Sequence, residues 1–252
     1  MQISLSAEDI FHIGSFPVTN SVLLAFVAFV VLVLFAVIMR RKLAMAPGGV
    51  QNVIEAIVLG ALGLMDSVLG DRRKSEKYLP VVLTVFLFVL CSNWLGLLPG
   101  VGSLTVRLVS GTVPLFRSPA ADLNFTLALA LLAVTFANAL GIAAIGLKTR
   151  LKTFFNFTNP IAFFVGILEL ISEFAKIISF SFRLFGNVFA GEVLLTIMAF
   201  LLPYLAPLPF MLLEIFVGFI QAFIFGMLTL VFISMAVSGE HGEAAEPEQA
   251  AL

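Results

Sequence analysis

The sequence predicts an all-α integral membrane protein: five transmembrane helices plus one interfacial amphipathic helix, the last two spans forming a long tilted hairpin. Three observations carry this. Hydrophobic residues make up 61% of the 252 and charged ones 12%, whereas a soluble domain is about a quarter charged. Val22 to Met39 is an unbroken apolar run closed by Arg40, Arg41 and Lys42, long enough for one bilayer-spanning helix. Apolar stretches then recur almost to the C-terminus, for a mean hydropathy of +1.13.

The elements follow in order. Residues 1–18 are expected as an external N-terminus, and Val22–Met39 as the first span. Residues 48–70 differ in character: Gln51, Asn52, Glu55 and Asp66 fall on one helical face, since the step from Glu55 to Asp66 closes about three turns. Basic residues flank this segment on both sides, at 40–42 and 72–77, where a spanning helix more often has them on one. It therefore reads as a helix lying in the interface. Further spans are expected at about Tyr78–Leu98, Leu123–Leu147, Pro160–Leu202 and Pro207–Val237. In the third span Ala137, Gly141 and Ala144 offer a face for close helix packing. From Ser238 the chain is acidic, small and polar and reads as a disordered cytoplasmic tail. No internal repeat or linker divides the chain, so residues 1–252 form a single membrane domain.

Basic residues set the orientation. With the 48–70 helix lying flat, Arg40, Arg41, Lys42, Arg72, Arg73, Lys74, Lys77, Lys148, Arg150 and Lys152 share one side of the bilayer, and Arg107 and Arg117 the other. The positive-inside rule then puts the N-terminus outside and the C-terminus in the cytoplasm. A net charge of −1 argues against a nucleic-acid partner. The lone Cys91 excludes an intrachain disulfide or a cysteine-rich metal site. His12 and His241 lie near the termini among polar residues and do not suggest a relay. No Gly-rich phosphate loop with a lysine is present, so neither nucleotide nor other cofactor is expected. The N-terminus has no positive n-region followed by a small-residue cleavage site, and no removable signal is expected.

The last two spans carry the chemistry. As continuous helices they would measure roughly 60 and 45 Å at 1.5 Å per residue, against a hydrocarbon core of about 30 Å. They are either cut into shorter pieces or strongly tilted, joined at Pro203–Pro209. Arg183 lies in the middle of the first. Its guanidinium stays charged at any working pH, and an arginine at the bilayer centre costs at least about 2.5–3.5 kcal/mol, so an ion pathway or an acidic partner is expected. Glu169, Glu173 and Lys176 lie toward the cytoplasmic side, Arg183 and Asn187 near the centre, and Glu192 in the outer half. On the last span Glu214 belongs to the outer half and Gln221 to the centre. Two acids on each side of a fixed cation is the layout of two offset half-pathways.

Helical phase refines this. Glu169, Lys176 and Arg183, seven apart, share a face within about 40°, with Asn187 one turn further along. Glu192 is about half a revolution from Arg183 and faces elsewhere. A geometry follows in which Arg183 meets Gln221 near the midplane while Glu192 and Glu214, with no obvious cation beside them, line a wet inlet. Glu173 and Lys176 also suit a simple i,i+3 ion pair, and Asn187 and Gln221 inter-helix adhesion. Two other functions remain: a proton-coupled secondary transporter, for which inverted repeats and broken helices would be expected, and a scaffold whose charges only hold subunits together.

RLFGNVFAGE (Arg183–Glu192) and IQAFIFGMLTLVFISMA (Ile220–Ala236) resemble the signature segments of subunit a of F-type ATP synthases, the membrane stator beside the rotating c-ring. TNS (Thr19–Ser21), NWLGLLPG (Asn93–Gly100) and PAADLNFTLALAL (Pro119–Leu131) are similar to further family segments, in the family's order. The resemblance implies five spans plus an interfacial helix after the first. It implies that Arg183 faces the c-ring carboxylate, with Asn187 and Gln221 near it. Glu192 and Glu214 then match the polar pair of the outer half-channel, where some members have a histidine, and Glu169 an acid of the inner one. Two carboxylates in place of that histidine would titrate as a coupled pair. Protons would pass by Glu192 and Glu214 to a c-subunit and leave toward Glu169, with Arg183 blocking a direct leak. The implied partners are the c-ring, the subunit b peripheral stalk and the other ATP synthase subunits. With no transit peptide evident, a bacterial plasma membrane is expected rather than an organelle's, and with no phosphate loop the chain is expected to be a channel subunit without nucleotide chemistry.

Overall fold

A computed structural model describes residues 7–14, 16–44, 48–98, 100–108, 111–154, 160–202, 205 and 207–238. Seven α-helices and two small hairpins make up the described residues. Strands β1 (Asp9–Ile13) and β2 (Phe16–Thr19) pair antiparallel and lead into α1 (Asn20–Lys42). α2 (Gly49–Leu69) and α3 (Arg72–Gly96) follow, and then the hairpin of β3 (Thr105–Leu108) and β4 (Gly111–Pro114). A buried 3-10 turn, Pro119–Ala121, introduces α4 (Leu123–Ile145). The short α5 (Leu147–Phe154), then α6 (Pro160–Leu201) and α7 (Pro207–Ser238), complete the chain. The hairpins are additions to the expected all-α plan.

Local sequence explains where the helices begin and end. Thr19 caps α1, its hydroxyl accepting from the Val22 N–H, and Arg40, Arg41 and Lys42 occupy the last turn, where the helix dipole favours cations. Gly70 closes α2 at φ 66°, a conformation open to glycine at little cost. Asp71 and Asp122 cap α3 and α4 through their carboxylates. α6 and α7 both start on a proline, which loses nothing at a first helical position.

The packed centre is α7, which contacts α3, α4 and α6. Phe180 of α6 stacks on Phe225 of α7 at 3.6 Å between ring centroids, inside a cluster with Val89, Ala130, Ala133, Leu184 and Ala222. A second cluster joins Met65 of α2 to Tyr78, Ala137, Leu230 and Ile233. Small residues on α4 let α7 approach closely: a side chain on Gly141 would meet the Ala236 carbonyl at 2.7 Å. Ala137 is buried in this seam, but Ala144, expected with it, is exposed. Away from the centre the surface is apolar, with Phe26, Phe29, Leu34, Leu132, Phe164 and Phe200 all exposed. That is the reverse of a soluble domain and fits lipid as solvent.

α1, α2, α3, α4 and α7 are each long and apolar enough to cross a membrane. This set holds α2 where the expected five hold α6; α6 has 42 residues and carries five charged side chains. Of α2 only Leu62 and Met65 are buried, and Val68 and Leu69 pack beside them, so no residue in its first half is buried against the described residues. α6 and α7 run unbroken, which removes the shorter-pieces alternative. Positions 203, 204 and 206 of the expected Pro203–Pro209 junction lie outside the described residues, as do 1–6 and the tail from 239.

Distant segments are tied together by polar contacts. Ser21 donates to Asp122 Oδ2 at 2.7 Å, and the other Asp122 oxygen caps α4. Asn20 is fully buried and donates to the Pro114 carbonyl. Asn93 and Trp94 of α3 donate to the carbonyls of Gly218 and Ile215 on α7. The segments TNS, NWLGLLPG and PAADLNF are thus the staples of the bundle.

Candidate functional site

α6 and α7 are antiparallel, and their polar residues fall at distinct levels. One level is fixed by Asn187, whose Nδ2 donates to Gln221 Oε1 at 2.8 Å. Gln221 is 2% exposed and its Nε2 is buried with no partner among the described residues. Arg183 lies one helical turn from Asn187 on the side away from the α6–α7 junction. It is exposed, and among the described residues it makes no hydrogen bond or ion pair. The expected meeting of Arg183 with Gln221 is therefore replaced by Asn187 with Gln221. Asn187 projects where its amide reaches α7, while Arg183 opens into a surface cavity of about 300 Å³ with Ser172, Lys176, Ser179 and Phe232.

Toward the α6–α7 junction a second cavity, about 390 Å³, is lined by Glu192, Glu214, Arg117, Asn93, Ser118 and Thr196 together with apolar side chains. Glu214 is buried, and Gly191 makes room for its carboxylate: a methyl group at that position would overlap it. Arg117, 7% exposed, donates from Nε to Glu192 Oε2 at 3.4 Å. Glu192 therefore has a cation, contrary to the sequence expectation. The guanidinium arrives from the segment before α4, where sequence reading had used it only to set orientation.

Toward the other end, Glu173 is held from three directions. Lys176 Nζ donates to Oε1 at 2.9 Å, Arg150 Nη2 to the same oxygen at 3.5 Å, and Asn138 Nδ2 to Oε2 at 3.0 Å. Arg150 also donates to Asn138 Oδ1 at 2.6 Å, and all three charged side chains are at most 16% exposed. Glu169 lines the same small cleft with Glu173, Lys176, Asn138 and Arg150, and among the described residues no hydrogen bond engages it. Lys176 and Phe232 also border the Arg183 cavity, so Glu169, Lys176 and Arg183 share a side of α6 as their spacing predicted. Chemically, one end places two carboxylates on a single cavity. The other offers one free and one fully engaged carboxylate, and an unpaired guanidinium lies between them.

Arg117, Arg150 and Asn138 were missed as site residues. A charge count gives only a partial signal, and none for the neutral Asn138. The two long helices contain four carboxylates, at 169, 173, 192 and 214, against the cations at 176 and 183, and buried acids without partners are costly. That excess of acid hints at cations from elsewhere in the chain, and Arg117 and Arg150 come in from the connecting segments, though the count does not say which carboxylate each one meets.

Among the described residues no group of three or more His, Cys, Asp or Glu side chains is arranged to hold a metal ion. The family model described as ATP synthase A chain matches residues 21–234. ATP synthase subunit a of Moorella thermoacetica is 33% identical over 231 residues, 92% of this chain and 96% of that protein. The protein of the same name from Campylobacter jejuni is 35% identical over 235 residues, covering 92% and 91%. That from Helicobacter pylori is 35% identical over 241 residues, covering 94% of each chain.

Proposed function

Because this chain belongs to the ATP synthase A chain family, we propose that it forms two offset proton half-channels against a ring of c-subunits. It is a multi-pass membrane protein and a proton-translocating stator subunit of an F-type ATP synthase, with other subunits of that complex as partners. The outer half-channel is the cavity of Glu192 and Glu214, and the inner one the cleft of Glu169 and Glu173. The observation that carries the reading is their separation. The two cavities have no lining residue in common, and the exposed, unpaired Arg183 lies between them along α6.

The mechanism follows from electrostatics. A proton entering at Glu192 and Glu214 passes the level of Asn187 and Gln221 to a carboxylate on the ring, which when neutral can face lipid. A protonated site arriving from the other direction meets Arg183, which favours its ionised form, and the released proton leaves by Glu169. The same guanidinium repels a proton passing straight between the half-channels. A membrane potential supplies about 2.3 kcal/mol per charge per 100 mV. The phosphoryl chemistry belongs to other subunits, and this chain binds no nucleotide.

The remaining assignments rest on the same reading. The c-ring lies against the Arg183 face, and the subunit b peripheral stalk is the stationary partner. α2 lies in the cytoplasmic interface, supported by the unburied first half of that helix. The basic flanks support an external N-terminus and a cytoplasmic C-terminus in a bacterial plasma membrane. A proton-coupled secondary transporter is not favoured.

The test is ATP-driven proton pumping and passive proton flux in vesicles bearing the assembled complex, wild type against Arg183→Ala. Loss of pumping with a passive leak is expected. Near-wild-type pumping in an assembled variant would mean that Arg183 is structural.

A further inference from the structure

We propose that Arg117 is a positioning residue of the outer cavity, holding Glu192 in place on the wall it shares with Glu214 and supplying the one fixed positive charge of that cavity. This inference rests on the half-channel reading above and assigns a role to a residue outside the two helices that carry it.

Arg117 is delivered from a rigid point. It stands two residues before the Pro119–Ala121 turn, whose three residues are buried and which packs against α1, α3, α4 and α6. Its neighbour Ser118 lies so close to Gly96 that a side chain there would meet the Ser118 Cβ at 2.7 Å. The backbone carrying the guanidinium is thereby wedged between helices, and the side chain is more than nine-tenths buried. A surface ion pair has two mobile partners and contributes little; here the cation is fixed and its carboxylate partner, 40% exposed, faces the cavity.

The charge balance gives this geometry a consequence. The charged groups lining the cavity are Glu192 from α6, Glu214 from α7 and Arg117, while α3 contributes the neutral Asn93. With both acids ionised the cavity carries one excess negative charge, and one proton neutralises it. Without Arg117 two carboxylates would line one cavity with no cation among its lining residues, and like charges sharing a site favour retention of a proton. The arginine therefore lets the cavity load and release one proton at a time, and it fixes where Glu192 stands while this happens.

The experiment measures ATP-driven proton pumping against pH in vesicles bearing the assembled complex. It compares Arg117→Gln, Arg117→Lys, Glu192→Gln and the double Arg117→Gln/Glu192→Gln, with Arg183→Ala alongside. Arg117→Gln is expected to lower pumping roughly tenfold or more, as when one member of a buried charge pair is removed, and to move the pH profile to the alkaline side. Arg117→Lys should restore much of both. The double variant should pump no worse than Glu192→Gln alone, because the two side chains act through one contact. If Arg117→Gln fails to assemble, the double variant against Glu192→Gln decides: equal pumping supports the pairing, and a further multiplicative loss overturns it. An unchanged pH profile in Arg117→Gln, or Lys no better than Gln, also overturns it. With Arg183→Ala inactive, such a result removes this inference alone; active pumping in Arg183→Ala would remove the half-channel reading beneath it.

Discussion

The carboxylate of Glu214 fills the space that a side chain on Gly191 would take. This contact joins α6 to α7 at the level where Glu192, the residue after that glycine, meets Arg117. The missing Cβ is what allows two acids from opposite helices to border one cavity.

Gly191→Ala should therefore damage proton transfer although the residue carries no proton. The added methyl has to expel the Glu214 carboxylate, and overpacking of this kind costs about 1–3 kcal/mol. Pumping by the assembled complex should fall several-fold, with partial recovery in Gly191→Ala/Glu214→Asp, whose acid is one methylene shorter. Gly63→Ala on α2, where nothing lies within 4 Å, should be neutral or slightly stabilising. Equal pumping in Gly191→Ala and wild type would mean that Glu214 does not work from this seat.

Ser21 and Asp122 should matter for assembly and leave transfer alone. Asp122 is 5% exposed and accepts from Ser21 across 101 residues of chain. Hydrogen bonds to charged groups are worth about 1.5–3 kcal/mol, so Ser21→Ala should lower the thermal stability of the complex by an amount in that range. Pumping per assembled complex should stay at the wild-type value; a selective loss of pumping would place Asp122 on the proton path instead.

Much of this arrangement is legible in the sequence, because membrane-spanning sequence advertises itself. Charges are so costly in lipid that Arg183, Glu192 and Glu214 stand out as candidate site residues by their surroundings, and helical spacing alone puts Glu169, Lys176 and Arg183 on one face. What could not be read were contacts made from connecting segments. Arg117 and Arg150 look like ordinary flanking charges, since nothing local tells whether such a chain turns outward to water or inward to a carboxylate. Asn187 could bridge to α7 only once the rotation of α6 against α7 was known, a choice set by the Phe180–Phe225 stack. Ala144 fits the small-residue stripe by spacing, yet the seam ends before it reaches that turn. The strands of the two hairpins are only four or five residues long, too short for their pattern to stand out from the loops around them.

The Asn187–Gln221 bond should behave as a coupled pair. Gln221 already has one unsatisfied buried amide nitrogen, so Asn187→Ala strands its carbonyl oxygen as well, at about 1–3 kcal/mol. Gln221→Leu removes the buried amide altogether and should cost stability less than Asn187→Ala does. Thermal unfolding of the purified complex, with the double variant closing the cycle, should give a coupling of at least about 0.5 kcal/mol. Additive effects would mean that the bond is incidental.

Glu173 and Glu169 share a cleft but should respond in opposite ways. Glu173 is engaged by Lys176, Arg150 and Asn138, and Glu173→Gln would leave two nearly buried cations facing each other. Breaking such a pair by removing one partner costs about 3–5 kcal/mol, so this variant should assemble poorly, and Glu173→Gln combined with Lys176→Met should recover assembly. Glu169, bordering the cleft without a hydrogen bond of its own among the described residues, should tolerate Glu169→Gln with little loss of stability. Its loss should appear in transfer: pumping slows as proton uptake at the inner side becomes limiting, and the deficit deepens when the cytoplasmic side is buffered to high pH, where protons are scarce. Assembly assays and pumping measured on the same membranes separate the two. A Glu173→Gln complex that assembles fully and fails only in pumping would reverse the roles assigned to these acids. The three-way clamp would then have to open during each turnover.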